Sequence, residues 1–357
     1  IIDKMTSTGK ADIIFHDKSK TFHLTNGKIS YIMKVLPNNQ LGQLYFGRAI
    51  HDEENYDHML ENICRGMAPS LFDDSQDEMD YFSLEHIKQE YPSYGTTDMR
   101  RPAFQVHQPN GSLITDLKYK SHDIKPGKPK LPGLPATYCE NDNEATILIV
   151  HLHDDLISLD IDLYYTIFAN HQAIARSVRF INNGTLDLHL TKALSFSLDL
   201  PDKDYEFVHF DGGWARERSV NATKLQCGTQ SVESIRGHSS HNHNPFILLR
   251  RPGTDENHGT CMGFSLIYSG NFLAQVQVDS WDVSRVTLGI NPFYFDWKLE
   301  PKQSFHTPEA VVAYSDEGMN GMSHQFHHLY QSRLARGQWR DKPRPILINN
   351  WEATYFD

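Results

Sequence analysis

Cysteine is scarce in this chain. There are four in 357 residues, Cys64, Cys139, Cys227 and Cys261, far apart and with no CxxC pair. That argues against a disulfide framework and fits reduced, mostly buried thiols in a cytoplasm. Basic residues are outnumbered, 34 Lys and Arg against 45 Asp and Glu, for a formal net charge of −11. A nucleic-acid partner would call for the opposite balance. No run of roughly 18 apolar residues occurs, so no membrane-spanning helix is expected. The first residues, Ile1-Ile-Asp-Lys-Met5, lack the charged-then-apolar pattern of a signal peptide. There is no Gly-rich phosphate loop, no nucleophile elbow, no basic aromatic groove and no internal repeat. Two sequons, Asn183-Gly-Thr185 and Asn221-Ala-Thr223, would matter only in a secreted protein.

Aromatic residues, by contrast, are plentiful: 19 Phe, 16 Tyr and 5 Trp. They suit pleated sheets and sugar binding alike. Short apolar runs recur between turn residues at 13–24, 28–35, 145–150, 158–168, 173–182, 188–198, 246–249, 263–268, 272–278, 285–290 and 310–314. Arg176-Ser-Val-Arg-Phe-Ile181 alternates cleanly, and Asn182-Asn-Gly-Thr185 predicts a hairpin turn. So many strands, with no helices regularly interleaved, predict a mainly β protein built as a large antiparallel sandwich. Residues 55–95 break the rhythm. They are rich in Asp, Glu, Met and Pro, with a short helix expected near 84–89. Loops this long are commonly functional. Residues 126–135 form a second, Pro/Gly-rich excursion.

Toward the end, a helix is predicted over about residues 320–336, with Met322, Phe326, Leu329, Tyr330 and Leu334 near one stripe. Pro343 and Pro345 stop it. Ile346, Leu347 and Ile348 then read as a short strand buried on both faces, with Asn349, Asn350, Trp351 and Glu352 at its carboxyl end. The first strand of a (β/α)8 barrel has this pattern, because barrel enzymes carry their chemistry at the C-terminal ends of the strands. The expected order is a sandwich domain over 1–318, a linker helix over 319–343 and the first strand of an otherwise absent barrel over 344–357. The chain reads as the front part of an enzyme cut just inside its catalytic domain.

At this point the residues carry a specific likeness. Asn349-Asn-Trp-Glu-Ala-Thr-Tyr-Phe-Asp357 resembles the start of the catalytic barrel in glycoside hydrolase family 36, the α-galactosidases. Gln89-Glu-Tyr-Pro-Ser-Tyr-Gly95, Leu134-Pro-Ala-Thr-Tyr138, Ser239-Ser-His-Asn-His-Asn-Pro-Phe246 and Tyr268-Ser-Gly-Asn-Phe-Leu-Ala274 look like family segments. So do Gly289-Ile-Asn-Pro-Phe293, Phe305-His-Thr-Pro-Glu309 and Tyr314-Ser-Asp-Glu-Gly-Met-Asn-Gly-Met322. The resemblance implies an N-terminal β-supersandwich leading into a barrel. It also implies retaining hydrolysis of terminal α-galactose from melibiose, raffinose or stachyose, with no cofactor and no metal. In that chemistry one carboxylate attacks the anomeric carbon and a second protonates the leaving oxygen. The family's nucleophile lies in a Lys-Trp-Asp-Met-Asn-Arg-like strand end, and its acid/base follows a Cys-Ser-Gly-Gly-Gly-like stretch. Neither occurs in these residues, so the chain by itself is expected to be inactive.

The same resemblance implies which residues touch sugar. The tryptophan matching Trp351 lines the family's galactose pocket, and Asn349, Asn350 and Glu352 support that rim. Family members form tetramers in which an N-terminal loop covers a neighbouring subunit's active site. The aspartate matching Asp52, in Arg48-Ala-Ile-His-Asp52, then reaches sugar hydroxyls, with Arg65 on the following segment and Phe46 and Tyr56 as weaker candidates. A carboxylate beside an Arg suits polyols through charge-assisted bonds. His238, His241 and His243 in one loop, and His324, His327 and His328 on one helix face, lack a Cys or carboxylate at ligand spacing and read as polar surface, not as zinc sites. Trp214 reads as a core or subunit-contact residue rather than an exposed aromatic, and Trp297, at the end of a strand, as core. Two other functions fit the same strands: a non-catalytic carbohydrate-binding or oligomerisation module, and a related enzyme that transfers galactose or removes α-N-acetylgalactosamine.

Overall fold

The computed structural model describes residues 9–61, 83–95 and 97–357. Over these residues the alternating pattern yields twenty strands. β1 (Asp12–His16), β2 (Thr21–Thr25), β3 (Ile29–Val35) and β4 (Leu41–Arg48) make a four-stranded meander. β5 (Phe104–His107), β6 (Lys118–Pro126), β7 (Ala145–Asp154), β8 (Leu159–Phe168), β9 (Ala173–Asn182) and β10 (Leu188–Leu200) follow. Then come β11 (Glu206–Asp211), β12 (Ser219–Lys224), β13 (Gly228–Ser234), β14 (His243–Arg250) and β15 (Cys261–Ile267). β16 (Phe272–Val278), β17 (Ser284–Ile290), β18 (Trp297–Leu299), β19 (Ser304–His306) and β20 (Glu309–Ser315) close the series. One ten-stranded sheet runs β12-β11-β14-β15-β20-β9-β8-β7-β6 with β19 on β9, and a six-stranded sheet runs β13-β16-β17-β10-β18 with β5 on β10.

The ten-stranded sheet forms one layer, and the other two sheets face it. Aromatic pairs cross the gap: Tyr31 to Tyr165 at 6.0 Å, Phe104 to Phe180 at 5.7 Å and Phe196 to Phe264 at 5.6 Å between ring centroids. These rings belong to one continuous buried cluster, the burial of which drives the sandwich together. The protein is therefore mainly β and antiparallel, as the sequence pattern predicts. β10 bulges between Leu194 and Phe196 where it pairs with β17. Gly289 makes this possible, since a Cβ there would stand 2.6 Å from both Leu194 Cα and Ser195 N.

Three helices follow the last strand: α1 (Gly318–Arg333), α2 (Gln338–Asp341) and α3 (Trp351–Thr354). α1 does more than link. Its Met322, Phe326 and Leu329 are buried on the outer face of the ten-stranded sheet against Val208, Leu248, Cys261 and Ala313. Its end is tied down by Arg333, which donates two hydrogen bonds to Glu144 at 2.7 and 2.8 Å.

Several local expectations give way to the structure. Residues 13–24 are two strands, because Asp17–Lys20 form a turn with Lys20 at φ 53°. Residues 84–89 are turns ending in a bridge between Gly42 and Gln89, not a helix. The turn after Asn182 does not close a hairpin but carries the chain from one sheet to the other. Both edges of β9 are already occupied, by β8 on one side and by β19 and β20 on the other. Ile346, Leu347 and Ile348 are 96, 90 and 81 % exposed and form no strand, since no described strand lies beside them to pair with. Trp214 is exposed, not core. Trp297 is half-exposed because β18 is a short edge strand, with its indole resting on Phe305 at 5.0 Å.

Two buried ionic clusters brace the fold, one between layers and one within the six-stranded sheet. Arg176 of β9 pairs with Glu90 at 2.7 Å, both fully buried, and Tyr31 and Tyr165 donate to the same carboxylate at 2.7 and 2.8 Å. Burial pushes the Glu90 carboxyl up, opposed by the Arg176 guanidinium and these hydrogen bonds. In the second cluster, Arg285 of β17 grips Asp199 of β10 at 2.7 and 2.8 Å and also reaches Asp98 at 2.8 Å. Burial raises the Asp98 carboxyl, but Arg285 and Arg100 outweigh it and hold it below its ordinary value.

Candidate functional site

The loop that leaves β4 folds back over one face of the four-stranded sheet. Its start is fixed by backbone and hydroxyl bonds: Ala49 N–H to Lys28 O at 2.9 Å and Ile50 N–H to Ser30 Oγ at 3.1 Å. Tyr56 is buried beneath it with Ile32 and Leu44. The Tyr56 hydroxyl accepts from Glu53 N–H at 2.8 Å and donates to His51 O at 3.0 Å, so it closes the turn that carries Asp52. A loop pinned at both ends and filled from below holds its side chains at small entropic cost on binding.

Asp52 itself lies at the rim, its side chain 35 % exposed. Two imidazoles converge on its Oδ1: His23 Nδ1 from β2 at 2.8 Å and His16 Nε2 from β1 at 3.0 Å. His16 Nδ1 also contacts Glu54 Oε2 at 3.2 Å. Burial raises the Asp52 carboxyl, but the hydrogen bonds and charge of His16 and His23 outweigh it, and the net direction is down. The group is an ionised acceptor at neutral pH, suited to hydroxyl donors.

The other candidates are not gathered here. Arg65 lies outside the described residues. Phe46 is a core ring against Tyr31 and Tyr314, at 5.6 and 6.3 Å. Trp351 opens α3, is 46 % exposed, and touches the rings of Tyr355 and Phe356 at 5.8 and 4.9 Å. No recorded contact joins it to the Asp52 loop among the described residues. Asn349, Asn350 and Glu352 are exposed beside it. His324, His327 and His328 lie on the exposed face of α1. Among the described residues no group of three or more His, Cys, Asp or Glu side chains is arranged to hold a metal.

A cavity of about 820 Å³ opens elsewhere, between β8, β9 and the 128–134 excursion, and shares no lining residue with the Asp52 loop. Leu134, Tyr268, Ile290, Phe305 and Glu309 contribute to its wall. Glu309 is satisfied there by Lys128 at 2.6 Å and by Thr137. Burial holds the His306 imidazole down at about 4. His16 and His23 were missed from the sequence, since they stand 36 and 29 residues from Asp52 and only the fold unites them.

Comparison with known proteins bears on both regions. Residues 39–300 match the model of the glycosyl hydrolase family 36 N-terminal domain, and residues 304–357 match that of melibiase. The chain belongs to glycosyl hydrolase family 36. It is 49% identical over 345 residues to alpha-galactosidase AgaA of Geobacillus stearothermophilus, covering 97% of this chain and 47% of that protein. The crystal structure of the alpha-galactosidase from Lactobacillus brevis superposes with a TM-score of 0.93 at 43% identity, over 97% of this chain and 46% of that one. A variant of AgaA solved in complex with raffinose gives a TM-score of 0.90 at 49% identity, over 95% of this chain and 46% of that one. The chain thus spans about half the length of the curated relatives it matches.

No described helix of this family 36 chain is long and apolar enough to cross a membrane.

Proposed function

We propose that this chain is the N-terminal region of an α-galactosidase that removes terminal α-galactosyl residues from melibiose- and raffinose-type oligosaccharides with retention of configuration. The observation that carries this reading is near-complete alignment, at 49% identity, with an α-galactosidase. The raffinose complex of the AgaA variant supports the substrate class. Retention requires two carboxyl groups about 5–5.5 Å apart, one attacking the anomeric carbon and one protonating the leaving oxygen. Neither family motif for those groups is present in these 357 residues, so they are supplied from outside them. The role of this region is to build and cover the sugar pocket.

In this reading the protein is a homo-oligomer, a tetramer by family resemblance, and works in the cytoplasm. Asp52 reaches from its loop to hydroxyls of the sugar bound by a neighbouring subunit. Trp351 offers its ring as a stacking face for the pyranose, and Arg65 stands as a partner to the Asp52 carboxylate. The pinned loop and the ionised, half-exposed carboxylate favour such a role for Asp52.

The test is release of p-nitrophenol from p-nitrophenyl-α-galactoside. The chain ending at Asp357 should give no turnover above buffer, and the full-length protein should turn over. Turnover by the chain alone, surviving further purification, would mean that carboxylates within it do the chemistry. An inactive full-length protein that still binds galactosides would favour the non-catalytic carbohydrate-binding module instead.

A further inference from the structure

The two histidines at Asp52 have a division of labour that their hydrogen bonds spell out. Ser30 Oγ accepts the Ile50 N–H at 3.1 Å and lies 2.8 Å from His23 Nε2. Its single hydroxyl proton is free to go to His23 Nε2, which assigns the His23 proton to Nδ1, facing Asp52. His23 is fully buried and stacked edge-on to Tyr56 at 5.9 Å, so this donor cannot wander. His16 is different. Each of its ring nitrogens faces a carboxylate, Asp52 on one side and Glu54 on the other. A neutral ring can donate to only one of them, and an imidazolium donates to both.

Both donors end on the same oxygen. Oδ1 is gripped from beneath by His16 and His23, while Oδ2 receives a hydrogen bond from neither imidazole. A free aspartate at a loop tip samples several rotamers and loses that freedom on binding. One held at Oδ1 has already lost it. We propose that His16 and His23 are positioning residues for Asp52, clamping Oδ1 so that Oδ2 is presented in a fixed direction to a ligand hydroxyl. The inference rests on the reading that Asp52 contacts sugar.

The experiment measures KM and kcat of the full-length enzyme for p-nitrophenyl-α-galactoside, with thermal melts to verify folding. The variants are Asp52→Ala, His16→Leu, His16→Gln, His23→Asn and His16→Leu combined with Asp52→Ala. Asp52→Ala should raise KM about tenfold or more, the scale of a lost hydrogen bond to a charged group. His16→Leu should raise KM about three- to tenfold with kcat little changed. His16→Gln, whose amide nitrogen can stand where Nε2 stands, should recover most of that loss, and His23→Asn, which replaces Nδ1 in the same way, should stay near the unsubstituted enzyme. The decisive arm is the double variant. If His16 acts through Asp52, adding His16→Leu to Asp52→Ala changes KM no further. An equal, independent KM effect in that background overturns the positioning role. So does a silent His16→Leu beside a strong Asp52→Ala effect, which leaves the sugar-binding reading of Asp52 standing. A silent Asp52→Ala overturns that reading and this inference with it. A second readout needs no activity: carbon NMR of Asp52 in the present chain should show its carboxyl titrating at higher pH in His16→Leu, and an unmoved titration counts against the clamp.

Discussion

Replacing Glu90 by Gln tests whether the layers are held by charge compensation or merely by shape. The substitution keeps the size of the side chain and leaves a carbonyl oxygen to accept from Tyr31 and Tyr165, which now donate to Glu90 at 2.7 and 2.8 Å. Among the described residues it removes the one carboxylate that Arg176 pairs with, at 2.7 Å, in a position where both side chains are 0 % exposed. Arg176 Nε and Nη2 already lack hydrogen-bond partners. They are compensated in part by the Tyr165 and Phe196 rings, whose centroids lie 3.9 and 5.2 Å from the guanidinium carbon. An uncompensated buried charge costs about 3–5 kcal/mol. For a chain of 357 residues that is a fall of roughly 4–7 °C in melting temperature. Adding Arg176→Met to Glu90→Gln removes the stranded charge and should recover more than half of the loss. Calorimetry or denaturant melts of the single and double variants read this directly. A loss below about 1 kcal/mol for Glu90→Gln, or a double variant whose losses simply add, refutes charge compensation as the source of the clamp's strength.

Two further outcomes are expected. Gly289→Ala should cost about 1–3 kcal/mol in denaturant unfolding, because its Cβ would meet backbone atoms of Leu194 and Ser195 at 2.6 Å that cannot swing aside; a neutral result would mean that β10 and β17 separate freely at the bulge. Burial holds His171 and His306 down at about 4, against an ordinary value near 6.5. With folded values depressed, the unfolded chain takes the protons first, so the stability these rings contribute is complete above about pH 6.5 and is lost as pH falls toward 4, by about 3 kcal/mol each at the limit. Melts at pH 7.5 and 5.0 should show the loss, and replacing both rings by Gln should flatten it; an equally steep acid loss in that double variant would assign it to other groups.

The period-two pattern made the central strands legible, since Leu159, Ile161 and Leu163 alternate with Asp160 and Asp162 in β8 and Val178 and Phe180 flank Arg179 in β9. It failed where strands are polar or glycine-broken. β12, Ser-Val-Asn-Ala-Thr-Lys, is exposed or nearly so throughout and offers no apolar face to detect. β4 carries Gly42 and Gly47, which interrupt its run. The turn at 182–185 was visible as a turn, but whether it closes a hairpin depends on which edges of β9 are free, and that is a property of strands more than a hundred residues away. Asp52 was nameable only through family resemblance. Nothing in its neighbourhood announces it, and the histidines that define its chemistry come from two other strands. Trp351 is the opposite case. Its family motif is conspicuous in the sequence, while its surroundings here are two aromatic neighbours from its own tail.

The clamp and the candidate site share a strand, and this links stability to function. Along β3 successive side chains point to opposite faces. Tyr31 reaches down to Glu90 in the core, whereas Ser30 and Ile32 face the other way, Ser30 to His23 and Ile50, Ile32 beneath Tyr56. β3 is therefore a plate with the ionic clamp on one side and the Asp52 loop on the other. The loop owes its fixed geometry to that plate, because every bond that orients Asp52 begins on β1, β2 or β3 or on a residue packed against them. Presenting such a carboxylate draws on the chain's own strands. It needs a rigid floor, two imidazole donors on one oxygen, and a buried ion pair that keeps the floor from tilting.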